Sequence, residues 1–253
     1  ALERGLAWQL SMQNEDGGWG AFDKGCDEEI LTFIPFADHN AMIDPSCEDI
    51  TGRTLEAMAD LGRPADDPAA RRAVSFLAAR QESDGTWYGR WGCNYVYGTW
   101  LALRGLSKAG VDLSDERYQK SAAWMRRHQN EDGGWGELPL SYDDPSQKGK
   151  GPSTPSQTAW ALMALFAAGD HGSESVRRGI SYLLKAQEYD GSWKDAHWTG
   201  TGFPKVFYLR YHLYATYFPL WAISLFSERE DEAASRVVPR SAGRPAGSPA
   251  WKG

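Results

Sequence analysis

Cysteine is scarce in this chain of 253 residues: Cys26, Cys47 and Cys93 form no close pair and no CxxC. A disulfide framework is therefore excluded, and a reducing compartment is expected. Long apolar runs are missing too. The longest, Ala159 to Ala168, falls far short of the ~20 residues that a spanning helix needs, so no membrane crossing is expected. Positive charge is not in excess: 27 Lys and Arg against 34 Asp and Glu leave a net charge of −7. With no basic field to hold a phosphate backbone, nucleic acid is excluded as a partner. Tryptophan is what the chain has in plenty, with twelve residues.

Four of those tryptophans belong to a repeat. Each copy has a basic residue, an apolar helix face ending in Gln, and then Asp-Gly-x-Trp, with the Trp six residues after the Gln. The copies run Arg4 to Trp19, Arg72 to Trp87, Lys120 to Trp135 and Arg178 to Trp193, with glutamines Gln13, Gln81, Gln129 and Gln187. The Asp-Gly turn stops the helix, and its glycine permits a positive φ. The Trp ring then folds back over the helix end, while the Gln is expected to bond the orphan backbone groups there. These residues read as structural clamps and not as ligand contacts.

Between the copies lie four more apolar helical patterns, about 50–61, 95–108, 156–168 and 208–226, and Gly62, Gly110 and Gly169 stand where three of them should stop. Charged-face helices alternating with helices apolar nearly all round predict concentric layers. The fold class is all-α, an α/α toroid whose four helix pairs leave it incomplete, over residues 1–230. Ala1 opens directly onto a repeat helix, which reads as a cut through a longer protein. From Ala233 onward, Pro239, Pro245 and Pro249 with the cations Arg236, Arg240, Arg244 and Lys252 predict a disordered basic tail, placed at 231–253.

Several residues are candidates for a site. Phe203, Phe207, Tyr211, Tyr214 and Phe218 recur at steps of four, four, three and four, which predicts one aromatic helix face, either core or cavity wall. Asp49 and Arg53, four apart at the start of an apolar helix, read as a helix-dipole acid with a local ion pair. The apolar stretch Ile30 to Ala37 looks like loop, and buried packing is its ordinary explanation. Asp66-Asp67 and Asp143-Asp144 read as solvated turns.

The Gln-to-Trp repeat resembles the QW motif of triterpene cyclases. The segments Asp44 to Thr51, Tyr88 to Gly92, Ser153 to Trp160 and Thr199 to Pro204 look like those of bacterial squalene–hopene cyclases, in their C-terminal part only. The family's acid motif, Asp-x-Asp-Asp, does not occur here. The resemblance implies cyclisation of squalene or a related polyprene, to hopene or hopanol, by protonation and a carbocation cascade. This chain would supply the aromatic half of the cavity and be inactive alone. The resemblance also assigns Phe203 and Phe207 to later ring cations, and Tyr211, Tyr214, Trp91, Tyr97 and Phe22 to the cavity lining. It places Phe36 and Ala37 at a narrow gate, and Asp49 and Arg53 in support of the missing acid, Arg53 standing where some relatives have histidine. Arginine keeps the charge but cannot relay a proton near neutral pH.

No metal or organic cofactor is implied. The implied partners are the polyprene, the N-terminal part of the same protein, a second copy of the chain and a membrane surface, with peripheral binding on the cytoplasmic face of a bacterial membrane. Two other readings compete. A zinc prenyltransferase β-subunit shares the toroid but needs Asp, Cys and His ligands. Asp44 and Cys47 are three apart, yet His39, His128, His171, His197 and His212 are scattered without ligand spacing. A non-catalytic, carbohydrate-binding or scaffold protein would expose its many tryptophans.

Overall fold

In the computed structural model, residues 1–34 and 42–237 are described, the side chains of 232–237 excepted. Eight α-helices alternate between two layers: α1 Leu2–Ser11, α2 Glu48–Asp60, α3 Pro68–Arg80, α4 Tyr95–Lys108, α5 Glu116–Arg127, α6 Pro155–Ala167, α7 Glu174–Ala186 and α8 Tyr214–Val237. Apolar composition sorts the layers. In α6 twelve of thirteen residues are buried and in α4 eleven of fourteen, against four of thirteen in each of α3 and α7. Helices without a polar face must be covered all round. So α2, α4, α6 and α8 pack in series as the inner row, and α3, α5 and α7 lie over them. Among the described residues, no helix contact of comparable extent returns α8 to α2, so the toroid is an open arc.

The repeat turns work as expected, with one exchange of roles. Gly17, Gly85, Gly133 and Gly191 all have φ between 85° and 95°. The indole N–H of Trp19, Trp87, Trp135 and Trp193 donates to the carbonyls of Gln9, Leu77, Met125 and Leu183 at 2.7–2.8 Å, each in the last turn of its outer helix. The Trp, and not the Gln, thus bonds the last-turn carbonyls, those of Gln9 and Met125 also accepting the N–H of Met12 and His128. The glutamine bridges instead. Gln13, Gln81 and Gln129 donate to their own turn glycine and to a first-turn carbonyl of the next outer helix, Ala69, Arg117 and Ser175, at 2.8–3.2 Å. Gln187 reaches only its own turn, at Gly191, and ends the series.

The sequence pattern misplaces the start of α8. Phe207–Leu209 is a strand, β2, paired antiparallel with β1, Gly200–Phe203, with a bulge between Thr201 and Phe203. Pro204 bars the preceding residue from the α region, and Lys205 turns the chain at a φ of 69°. The helix therefore starts only at Tyr214, after a turn in which Tyr214 N donates to the Tyr211 carbonyl. At its other end α8 runs to Val237, and the rest of the basic tail lies outside the described residues. Of the acidic pairs, Asp67 is nearly buried as the cap of α3, accepting from Ala69 and Ala70 N–H.

Candidate active site

The aromatic residues do not share a helical face; they come from four places and meet as rings. Phe22, on the loop after α1, meets Trp91 edge-on at 5.6 Å, Trp91 meets Phe203 at 6.0 Å, and Phe203 meets Phe207 at 5.8 Å. A second group is built by the inner helices. Trp100 of α4 and Trp160 of α6 stack at 6.1 Å with 7° between planes. Tyr97 contacts both, at 5.9 and 4.8 Å, and Phe218 of α8 contacts both, at 5.3 and 5.5 Å. Tyr214 packs on Trp160 at 5.8 Å and on Tyr211 at 4.7 Å.

The two groups are joined through a pair of glycines. Gly92 and Gly200 bridge the loop after Trp91 to β1. A Cβ on Gly92 would lie 2.6 Å from the Tyr97 ring, and one on Gly200 would lie 2.4 Å from the Tyr211 ring. Each ring thus packs directly against bare backbone, which any side chain there would prevent.

Asp49 and Arg53 do not pair. Asp49 is fully buried and its carboxylate accepts the Trp91 N–H at 2.7 Å, fixing the backbone that carries that ring. Burial raises its pKa, against hydrogen bonds and the Arg53 charge that lower it, and the expected local ion pair is replaced by the backbone bond. Arg53 donates from Nη2 to the Tyr97 hydroxyl at 3.0 Å, and its guanidinium lies 5.8 Å from both the Tyr97 and Trp100 rings. It opens onto an apolar groove of about 500 Å³ beside Leu2, Leu6, Ala57 and Leu61. Burial pushes the Tyr97 phenol up to about 12 and raises Tyr214 as well, so both stay neutral phenols.

Trp100 and Trp160 escaped sequence reasoning. In helices apolar at nearly every position, no period singles out one ring; only their place on the inner helices would have marked them. Of the expected gate, Phe36 and Ala37 lie outside the described residues. Beside it, Ile30 and Phe33 are 72% and 80% exposed, so these two side chains are not packed into a core as the composition suggested. Among the described residues no group of His, Cys, Asp and Glu could hold a metal ion, and no helix is long and apolar enough to cross a membrane.

Paired outer and inner helices clamped by repeat turns around an aromatic wall define an α/α-toroid terpene cyclase domain. The family model for the squalene–hopene cyclase C-terminal domain matches residues 1–228. The squalene–hopene cyclase of Zymomonas mobilis is 48% identical over 88% of this chain and 34% of its own length. For that of Bradyrhizobium diazoefficiens the figures are 46%, 94% and 36%. The dammaradiene synthase of Dryopteris crassirhizoma is 42% identical over 94% of this chain and 38% of its own. The chain thus belongs to the squalene–hopene cyclase family, and spans about a third of the length of these relatives. The ent-copalyl diphosphate synthase from Streptomyces platensis has a similar fold, with a TM-score of 0.60 at 20% identity over 87% of this chain and 37% of that one. So does the type II terpene cyclase MstE from Scytonema, with a TM-score of 0.56 at 20% identity over 80% and 54%.

Proposed function

We propose that the chain is the C-terminal part of an enzyme that cyclises squalene, or a related polyprene, to hopene or hopanol. The observation that carries this reading is the pair of ring clusters, Phe22–Trp91–Phe203–Phe207 and Tyr97–Trp160–Tyr214–Tyr211, that the loops and inner helices bring together. A carbocation is attracted to an aromatic face by ~0.5–2 kcal/mol per ring, and a face offers no lone pair basic enough to trap it. Supporting details fit that use: the buried indole nitrogens of Trp91, Trp100 and Trp160 have no acceptor beside them, and the phenols of Tyr97 and Tyr214 stay protonated.

The initiating acid is supplied by a segment carrying the family's Asp-x-Asp-Asp motif, which does not occur in this chain. Asp49 is spent on the Trp91 backbone. Arg53, charged and open to the apolar groove, is placed to stabilise an ionised carboxylate brought there by that segment. Assay of squalene with the purified chain, followed by gas chromatography, should give no cyclic triterpene. The full-length polypeptide, in which this chain follows the acid-motif segment, should give one. A cyclic product from the chain alone, or none from the full-length polypeptide, overturns the reading.

The substrate is nearly insoluble in water, so loading from a bilayer is part of the proposal: the full-length enzyme binds the cytoplasmic face of a bacterial membrane without spanning it. Exposed Ile30 and Phe33, next to the segment holding Phe36 and Ala37, support an apolar contact. Failure to float with anionic liposomes at low salt would remove this part.

A further inference from the structure

Behind the aromatic wall lies a buried polar network that neither the sequence pattern nor the proposed chemistry calls for. The Tyr142 hydroxyl sits 2.6 Å from the Gly89 carbonyl, 2.9 Å from the Gly92 carbonyl and 3.0 Å from Thr201 Oγ1. A phenol has one proton, and carbonyls can only accept, so Tyr142 donates toward Gly89 and Gly92. Thr201 must then donate to the phenol oxygen. Both residues are buried, at 5% and 1% exposure. Two backbone bonds run alongside, Thr201 N–H to the Trp91 carbonyl at 3.2 Å and Cys93 N–H to the Thr199 carbonyl at 2.8 Å.

The joint lies between two aromatic carriers. On one side, Gly89 and Gly92 bracket Trp91; on the other, Thr201 precedes Phe203 by two residues and sits opposite Tyr208, next to Phe207. The loop itself is fixed to the frame. Gln157 of α6 donates to the carbonyl of Cys93 at 3.0 Å, and Glu137 accepts the N–H of Asn94 and Val96 at 3.1 and 2.9 Å. The hairpin is less firmly held: β1 and β2 form a two-stranded sheet, marginally stable by itself, tied to the loop by the two backbone bonds above and by the Tyr142–Thr201 bond.

We infer that the Tyr142–Thr201 hydrogen bond is a positioning joint that sets where Phe203 and Phe207 stand relative to Trp91, and through them how far cyclisation runs. The inference rests on the cyclase reading above. Both hydroxyls are buried with protein partners, so they act through the rings they hold. A slip of the hairpin would move the two rings away from the cation they stabilise, and the cascade would end early with fewer rings closed.

The test uses the full-length polypeptide, squalene and chromatographic separation of products by ring number. Thr201→Val keeps the shape and removes the donor; the ratio of truncated to fully cyclised product should rise roughly fivefold or more. Thr201→Ser restores a hydroxyl and should bring the ratio back to within about twofold of the unmodified enzyme. If Thr201→Val does not accumulate as folded protein, Tyr142→Phe carries the same comparison from the other partner. A variant that loses total turnover or melts earlier while its product ratio stays unchanged shows a merely structural role and overturns the inference. An unmodified full-length polypeptide that closes no ring removes the cyclase reading itself, and the inference with it.

Discussion

The same substitution at two equivalent turns should separate the strain of a turn from the grip between repeats. Gly133 and Gly191 occupy identical places in the third and fourth repeats, with φ of 91° and 85°. An alanine at either position meets the same backbone penalty for a left-handed conformation, about 1–2 kcal/mol. Their surroundings differ. A Cβ at Gly133 would sit 2.7 Å from the Arg178 carbonyl of α7, whereas at Gly191 nothing is nearer than 4.0 Å. Gly133→Ala must therefore also push the first turns of α7 away. That strains the Gln129 bond to Ser175 and the Arg178 bonds to the carbonyls of Asn130 and Glu131, all at 2.8–2.9 Å. Overpacking of this kind costs about 1–3 kcal/mol more. At about 2–4 °C per kcal/mol for a chain of this size, Gly133→Ala should melt roughly 2–12 °C below Gly191→Ala. Thermal unfolding followed by far-UV circular dichroism reads the difference. Equal midpoints would mean that the turns do not bear on the next helix, and the account of the repeats would be wrong.

Trp135→Phe should destabilise the chain by about 0.5–1.5 kcal/mol in urea unfolding, because the Met125 carbonyl loses its 2.8 Å indole donor and keeps the His128 N–H at 3.1 Å. Phe207→Ala in the full-length polypeptide should release products with fewer rings. Losing ~1–2 kcal/mol at a ring cation corresponds to roughly five- to thirtyfold in partitioning, and an unchanged product spectrum would reduce Phe207 to packing. Burial raises Glu48 from 4.5 to about 7, so the unfolded chain ionises first as pH rises. Stability from this group is full below pH ~4.5 and lost as pH rises through ~7, by up to about 3 kcal/mol. Glu48→Gln should therefore raise the melting temperature at pH 8 relative to the unmodified chain and gain much less at pH 5; the same gain at both would refute the burial argument.

The frame was legible because its determinants are local and repeated. Helix, Asp-Gly stop and Trp sit at fixed spacing, so α4 was read at its observed bounds, Tyr95–Lys108. The last inner helix was misread because aromatic spacing near four also arises in a strand, turn and helix start. Only Pro204 and the glycines around it marked the break. The sequence could name candidate residues for a site but not how they are arranged. Asp49 and Arg53 have helical spacing for an ion pair, but the choice of partner was made by residues 42 and 44 positions away, Trp91 and Tyr97. Likewise the joint between Tyr142 and Thr201 spans 59 residues and has no local signature.

The glutamine bridges also have a direction. Each one grips a helix that follows it in the chain, with its acceptor 56, 36 and 46 residues downstream for Gln13, Gln81 and Gln129. A repeat leaving the ribosome has its own Trp in place but cannot be latched until the next outer helix has begun. At about 5–20 residues per second, each of these three repeats waits roughly 2–11 s for its partner. Through that interval the inner helix is only half covered, which matters most for α4 and α6, whose residues are nearly all buried in the folded chain. Synthesis rate thus sets how long this nascent chain shows a sticky face, and slow stretches of messenger immediately after a Gln–Trp turn should be where aggregation begins.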